Sequence, residues 1–132
     1  SVMIVDDNFT NLRVASRNMR KIVPESECLC LPDGTDAVKA FEATPRRWSI
    51  ILMDLSMREM DGLEAVQRIR EIEERENVVP RTPIVALTGH SGDPTMMARC
   101  ARAGFDGTLA KPILVDALRR TVETWMPEIG QL

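Results

Sequence analysis

The chain has 132 residues, of which 44% are hydrophobic and 28% charged, and its formal net charge is −3 at pH 7. This length suits one domain with a proper core, and this balance of residues is typical of a globular domain in water. The net charge gives no overall electrostatic footprint for nucleic acid, and no apolar run approaches the roughly 20 residues that a membrane span needs.

The first apolar run begins directly after Ser1, without the basic region and long apolar stretch of a signal peptide. This abrupt start predicts a domain cut from a longer chain. The cysteines Cys28, Cys30 and Cys100 show no metal-binding pattern, which favours reduced thiols and a cytoplasmic location. Cys28 and Cys30 lie two residues apart, so we expect both side chains to point the same way from a strand, as small buried apolar residues.

Five short and mostly apolar runs predict five β-strands. Runs without alternation of polar and apolar residues are typical of strands that are covered on both faces. In chain order, the predicted strands are residues 2–5, 28–31, 50–53, 84–87 and 108–110.

Apolar residues recur at helical spacing between and after these runs, which predicts five helices. Asn8 or Thr10 caps the first helix, which Pro24 ends, and Thr35 caps the second. The apolar stripes of the helices lie, in chain order, within residues 12–22, 37–41, 63–72, 95–103 and 114–125.

The regular alternation of strands and helices predicts one α/β domain. Helical crossovers between successive strands imply a parallel sheet with right-handed connections and helices on both faces, which is a doubly wound architecture. We place this domain at residues 1–126 and a C-terminal tail at residues 127–132.

Reactive side chains stand where four of the predicted strands end. Asp6 and Asp7 follow the first strand, and Asp54 follows the third. Thr88 follows the fourth strand and Lys111 the fifth. The carboxyl ends of parallel strands form the crevice where α/β domains carry their chemistry. We therefore expect three carboxylates, a hydroxyl and an amine to meet in one place.

This set of groups suits a divalent cation and a phosphoryl group. Three neighbouring carboxylates repel one another unless a cation neutralises them, and Mg²⁺ binds through one or two carboxylates together with phosphate oxygens. Asp54 follows the most apolar run, which places it near the centre of the sheet, and we choose it as the nucleophile. Taken singly, each residue also has an ordinary interpretation as a helix cap, a loop charge or a strand end.

Five short motifs in order carry a resemblance to a known family. They are VDDN at 5–8, ILMDLSM at 51–57, MDG at 60–62, PIVALT at 83–88 and LAKP at 109–112. With these motifs, the sequence resembles a response-regulator receiver domain of two-component phosphorelay signalling over essentially its whole length.

The resemblance implies a flavodoxin-like fold with strand order 2-1-3-4-5. It also implies that Asp54 accepts a phosphoryl group from a phosphohistidine in a reaction that the domain itself catalyses. Mg²⁺, or Mn²⁺ in its place, would be held directly by Asp7, Asp54 and the backbone carbonyl of Ser56, and through water by Asp6.

The resemblance also assigns roles to the residues that face the phosphoryl group. Thr88 would move towards that group, and Lys111 would pair with it. The peptide bond between Lys111 and Pro112 is expected to be cis.

Two positions depart from the family pattern. Thr108 stands where the family commonly has Tyr or Phe. Arg58 stands where the family often has proline. We expect a loop around Arg58 that is more mobile and more charged than usual.

The implied partner is a histidine kinase or a histidine-phosphotransfer domain. The amino-acid sequences of the motifs are similar to those of receivers in hybrid sensor histidine kinases. Arg13, Arg17 and Arg20 share one side of the first helix, either as solvated surface or as a docking face for this partner. Homodimerisation stays open, and no contact with nucleic acid or membrane is expected. His90 is interpreted as a polar loop residue rather than a phosphoryl relay.

Two other functions stay open at this point. The first is a receiver-like scaffold that binds partners without phosphorylation. This alternative stays open because Thr108 replaces the aromatic residue that is common at this position in the family. The second is a phosphatase of the haloacid-dehalogenase type. That family has a second acid two residues after its nucleophile, where this chain has Ser56, and usually a cap insertion for which there is no room.

Overall fold

Five parallel strands form one sheet in this computed structural model, which describes residues 1–89 and 93–127. The strands are β1 (Val2–Val5), β2 (Cys28–Leu31), β3 (Ile50–Asp54), β4 (Ile84–Thr88) and β5 (Gly107–Ala110). Their order in the sheet is β2-β1-β3-β4-β5, and every pairing is parallel. The predicted doubly wound topology is confirmed, with β3 at the centre of the sheet.

Five helices cover the two faces of this sheet. They are α1 (Phe9–Ile22), α2 (Gly34–Ala43), α3 (Gly62–Arg75), α4 (Pro94–Ala103) and α5 (Val115–Trp125). α1 and α5 pack on one face, and α2, α3 and α4 pack on the other. Every residue of β1, β3 and β4 is buried, as expected for strands with a core on both sides. Among the described helices, none combines the length and the apolar character needed to cross a membrane.

Some local predictions are wrong. Asp33, not Thr35, caps α2, because its carboxylate accepts a hydrogen bond from the backbone N–H of Thr35. Leu114 precedes α5 and is 65% exposed, so it does not belong to the buried stripe of that helix. Cys28 and Cys30 are only half-buried, since β2 is an edge strand. His90 lies outside the described residues.

A buried ion-pair network ties α3 to the amino-terminal side of the sheet. The guanidinium of Arg70 donates to Glu73 at 2.6 Å and to Asp106 at 2.8 Å. Both carboxylates also accept backbone N–H groups, Glu73 from Thr82 at 2.6 Å and Asp106 from Ile84 at 2.8 Å. The network therefore orients the chain that enters β4 and the chain that enters β5.

The end of α4 belongs to the same network. Gly104 has a φ of 126°, a conformation that residues with a side chain rarely adopt, and its carbonyl accepts from Arg70 Nε at 3.0 Å. A Cβ at this position would lie 2.9 Å from the Cγ of Arg70. Glycine is thus required both by the backbone and by the close approach of the arginine.

We predict that Arg70→Ala lowers the free energy of unfolding by about 3–5 kcal/mol, because it leaves the buried carboxylate of Glu73 without its cation. Asp106 also loses its bond to Arg70 but keeps its ion pair with Arg81. The matched control is Arg75→Ala on the same helix, whose ion pair with Glu42 is more than half exposed. That substitution should change the free energy of unfolding by less than about 0.5 kcal/mol. Urea denaturation followed by circular dichroism measures both values. Equal losses in the two variants would contradict a structural role for the network.

Candidate functional site

Four strands of the sheet end at one edge, and the residues predicted to carry chemistry lie there. Asp54 and Thr88 are the last residues of β3 and β4. Asp6 and Asp7 follow β1 directly, and Lys111 follows β5. Because β3 pairs with β1 and β4, and β4 pairs with β5, these strand ends are neighbours. The structure therefore brings together residues that are up to 105 positions apart in the chain.

The three acids form one cluster. A carboxylate oxygen from each of Asp6, Asp7 and Asp54 lies within 4.8 Å of the others. Asp6 and Asp54 are only 1% and 3% exposed, whereas Asp7 is exposed. The cluster is thus buried where Asp6 and Asp54 lie and open to solvent at Asp7.

Asp6 is held in place by the start of α1. Its Oδ1 accepts from the backbone N–H of Asn8 at 2.9 Å, and its Oδ2 accepts from the side-chain amide of Asn11 at 3.2 Å. Burial raises the pKa of Asp6; the bond from Asn8 opposes this shift, and the charge of Asp54 adds to it. An ionised Asp6 is therefore costly here unless a positive charge lies nearby.

Lys111 supplies one such charge to the cluster. Its ammonium Nζ lies 2.9 Å from Oδ1 of Asp54, and the backbone N–H of Ser56 donates to the same oxygen at 3.4 Å. The side chain of Lys111 is partly shielded and that of Asp54 is buried, so solvent screens this pair less than a surface pair. The peptide bond from Lys111 to Pro112 is cis, as the resemblance implied.

The strand ends that carry Lys111 and Thr88 are joined by their backbones. The N–H of Lys111 donates to the carbonyl of Thr88 at 2.9 Å, which continues the ladder between β4 and β5 beyond the last residue of β5. Thr88 itself is 4% exposed and stands next to the opening of the crevice. The ends of β4 and β5 are thus joined by a backbone hydrogen bond at the site.

The charges of this site fit a divalent cation. Three carboxylates and one ammonium leave two negative charges unbalanced, which matches the charge of such an ion. Carboxylate oxygens are hard ligands of the kind that Mg²⁺ and Mn²⁺ prefer, and their mutual distances allow one ion to contact several of them. The exposed Asp7 leaves an entry path from solvent.

A glycine allows α3 to begin against the site. The N–H of Gly62 donates to the carbonyl of Leu55 at 2.9 Å, and a Cβ on Gly62 would lie 2.4 Å from the carbonyl oxygen of Asp54. No side chain fits at this separation. The MDG motif therefore has a physical reason, because only glycine lets the helix start touch the backbone that carries Asp54.

Asp33 is a site-supporting residue that the sequence patterns did not reveal. Its carboxylate caps α2 and also accepts the backbone N–H groups of Glu59 at 3.1 Å and Met60 at 3.2 Å. These bonds tether the loop that follows Asp54 to the loop that follows β2. The hydrogen bonds to the carboxylate lower the pKa of Asp33, although burial, the largest single influence, acts in the opposite direction. In the sequence, Asp33 is visible only as part of a turn.

The remaining predicted residues lie around this centre. Met57 and Met60 are half-buried and pack against the core, and Arg58 is exposed. Ser56 is exposed beside Asp54. Thr108 is half-buried on β5 and pairs with Ala86. The arginines that share one side of α1 are all exposed, and they are Arg13, Arg17 and Arg20.

Comparison with protein families identifies one match over most of the chain. A family model described as a response regulator receiver domain matches residues 2–123. Similar proteins include the peroxide stress-activated histidine kinase mak1 of Schizosaccharomyces pombe, which is 39% identical over 119 residues, covering 89% of this chain and 7% of that protein. Probable histidine kinase 4 of Oryza sativa subsp. japonica is 31% identical over 142 residues, covering 96% of this chain and 14% of that protein. The chain thus spans only a small part of these relatives.

Solved structures with the same fold point to the same family. The receiver domain of the sensor histidine kinase PA1611 from Pseudomonas aeruginosa PAO1, with a magnesium ion in its active site cleft, is 31% identical with a TM-score of 0.79, covering 98% of this chain and 96% of that one. The receiver domain of Ssk1 from Saccharomyces cerevisiae, solved with the histidine phosphotransfer protein Ypd1, is 26% identical with a TM-score of 0.84, covering 94% of this chain and 86% of that one.

We predict that a divalent cation stabilises the fold through the acidic cluster. Mg²⁺ at tenfold its dissociation constant should add about 1.4 kcal/mol, which is a rise of roughly 3–6 °C in Tm relative to EDTA. Asp7→Asn removes one carboxylate from the acidic cluster and should abolish most of this rise, whereas the control Asp36→Asn, with the same change of charge on α2, should keep it. Scanning calorimetry measures the shift, and an undiminished rise in Asp7→Asn would contradict the site.

We also predict that Asp33→Asn loosens the loop after Asp54. The NH₂ group of asparagine is a donor and would replace a carboxylate oxygen that accepts from backbone N–H groups. Because two donors cannot bond to each other, the free energy of unfolding should fall by about 1–3 kcal/mol. Amide hydrogen exchange, read by NMR, should become faster at Glu59 and Met60 than in the Asp36→Asn control. Unchanged exchange at these two amides would show that the tether is not needed.

Proposed function

Because the chain belongs to the response regulator receiver domain family, we propose that it is a phosphoacceptor switch in which Asp54 takes a phosphoryl group from a phosphohistidine. The observation that carries this proposal is the position of Asp54. It is buried at the end of the central strand, inside the acidic cluster, with the ammonium of Lys111 at 2.9 Å from one of its oxygens.

The transfer needs little covalent chemistry from the protein. A carboxylate oxygen of Asp54 attacks phosphorus, the bond from phosphorus to the imidazole nitrogen breaks, and the imidazole keeps the bonding electrons and takes a proton from solvent. Phosphoryl transfer depends mainly on positioning and on neutralising charge around phosphorus. The bonds from Lys111 and Ser56 use the same oxygen, Oδ1, and so fix the orientation of the carboxylate.

The metal site belongs to this mechanism. We assign Asp7, Asp54 and the backbone carbonyl of Ser56 as direct ligands of Mg²⁺, with Asp6 acting through water. Bound Mg²⁺ would supply positive charge to the phosphoryl oxygens and hold them in line for attack. The bonds from Asn8 and Asn11 keep Asp6 turned towards the cluster, so its charge is available to water bound there.

Phosphorylation changes the partners of Lys111 and Thr88. The carboxylate charge of Asp54 is replaced by a phosphoryl group that carries more negative charge, further from the backbone. Lys111 then pairs with a phosphoryl oxygen, and the Thr88 hydroxyl donates to another. Since the backbones of these two residues are joined at 2.9 Å, the ends of β4 and β5 shift together. This backbone link replaces, in our proposal, the aromatic ring that Thr108 does not provide.

We propose a histidine kinase or a histidine-phosphotransfer domain as the partner and a hybrid histidine kinase as the parent chain. The relatives named above support this, since several are histidine kinases and one similar receiver was solved with a phosphotransfer protein. The exposed arginines lie on α1, the helix that begins just after Asp6 and Asp7, and we assign them to the docking face.

The test is phosphorylation by a small donor. Incubation with acetyl phosphate and Mg²⁺ should add one phosphoryl mass to the wild type and none to Asp54→Asn, as measured by intact mass spectrometry. Lys111→Gln removes the ammonium from the site and should slow the reaction about 10-fold or more. The control is Lys21→Gln, at the exposed end of α1, which should react like the wild type.

The other outcomes separate the competing functions. A phosphoryl mass that persists in Asp54→Asn would overturn the assignment of the phosphoacceptor. A wild type that stays unmodified, with Mg²⁺ binding intact, would favour a scaffold that works without phosphorylation. Continuous turnover of small phosphomonoesters would indicate a phosphatase.

A further inference from the structure

Two cysteines lie side by side on the edge of the sheet, away from the acidic cluster. Cys28 and Cys30 stand two residues apart on β2, where their backbones pair with Val2 and Ile4 of β1. Both side chains point towards α1 and pack against the core on that face, but both are only half-buried. We call these two residues the thiol pair.

The thiol pair borders a basic groove that is open to solvent. This groove runs between α1 and β2, has a volume of about 620 Å³, and is lined by Cys30 together with Ser16, Arg17 and Arg20. At one end of the groove lies the exposed Phe9. A small polar molecule can therefore reach the sulfur of Cys30 from outside, through a region of positive charge.

The surroundings of the pair favour a thiolate on one of its members. Interaction with the Cys28 side chain lowers the pKa of Cys30 to about 6; burial opposes the shift, while the Ser16 hydroxyl and the Arg20 guanidinium support it. The pKa of Cys28 is raised, first by Cys30 and then by burial. The nearby charges come from α1, since β1 contributes only apolar residues. The lower pKa of the pair therefore belongs to Cys30, the member that lines the groove.

The third cysteine has the opposite environment. Cys100 lies on α4, is 1% exposed, and packs within the core on the other face of the sheet. Burial raises its pKa. A thiol in this position is inert, so the chain contains its own negative control.

We propose that the thiol pair is a redox modification site, at which the sulfur of Cys30 reacts with hydroperoxides. Reactive thiols in proteins are accessible and close to positive charge, and Cys30 meets both conditions, since it is half-buried in a groove that Arg17 and Arg20 line. This site is separate from the phosphoacceptor centre, and its reaction does not depend on the function of Asp54.

The reaction is a two-electron oxidation. The thiolate of Cys30 attacks one oxygen of the peroxide, a sulfur–oxygen bond forms, and the oxygen–oxygen bond breaks. The departing hydroxide or alkoxide takes a proton from solvent and leaves as water or an alcohol, while Cys30 becomes a sulfenic acid. Residues two apart on an extended strand have Cα atoms about 6.4–6.8 Å apart, at the upper limit for a disulfide. We therefore expect a sulfenic acid that lasts long enough to be trapped and that an external thiol reduces.

The experiment maps sulfenic acid on each cysteine. The reduced protein is treated with hydrogen peroxide in the presence of dimedone, digested, and analysed by mass spectrometry. We expect the adduct on Cys30, little on Cys28 and none on Cys100, with the same result in Asp54→Asn. An adduct mainly on Cys28, equal labelling of Cys100, or no adduct on Cys30 would each overturn the proposal.

A second measurement separates an activated thiol from one that is merely exposed. The rate of alkylation of Cys30 by iodoacetamide, followed against pH, should reach half its maximum near pH 6 in the wild type. Cys28→Ala removes the neighbouring thiol and should move this midpoint towards about 8.5, the value of a free cysteine. Cys28→Ser keeps a hydroxyl donor and should lie between the two. A wild-type midpoint near that of a free cysteine would refute the activation of Cys30.

Discussion

The concentration of negative charge at one edge of the sheet is the constraint on which the site depends. The parallel strands place Asp6, Asp7 and Asp54 together at the carboxyl edge of the sheet, and two of these carboxylates, Asp6 and Asp54, are almost fully buried. Lys111, at 2.9 Å from Asp54, balances only part of this charge. The remainder makes the site attractive to a divalent cation and, with that cation, to a phosphoryl group. The excess negative charge of the carboxylates thus opposes folding, and the same charge suits the site to a divalent cation.

Hydrogen bonds and close packing hold the segments around this cluster in place. Asp33 tethers the loop after Asp54, Gly62 lets α3 begin against its backbone, and the amides of Asn8 and Asn11 orient Asp6. At the opposite end of the strands, the network around Arg70 fixes how the chain enters β4 and β5. The frame of the site is therefore held by contacts at both ends of the strands.

The edge strand β2 gives the domain a second kind of chemistry. Because β2 is an edge strand in the sheet that the described residues form, its two cysteines are half-buried rather than enclosed. The helix α1 that covers them also carries arginines, and this combination places an accessible thiol beside positive charge. The groove lies on the same helix that we assign to partner docking. A covalent change at Cys30 would thus alter the shape and charge of that face without touching the phosphoacceptor.

The amino-acid sequence by itself determined the order of strands and helices, the parallel sheet, and the convergence of Asp6, Asp7, Asp54, Thr88 and Lys111. These follow from local apolar patterns and from the rule that parallel strands end at one edge. Only the tertiary structure decided features that depend on contacts between distant segments. Asp33 is a tether because residues 59 and 60 lie beside it, and Cys28 and Cys30 are half-buried because β2 is at the edge. Arg70 is largely shielded because it pairs with Glu73 and with Asp106, which precedes β5. These features could not be predicted because a local sequence pattern does not specify which distant residue will supply a hydrogen bond or shield a side chain from solvent.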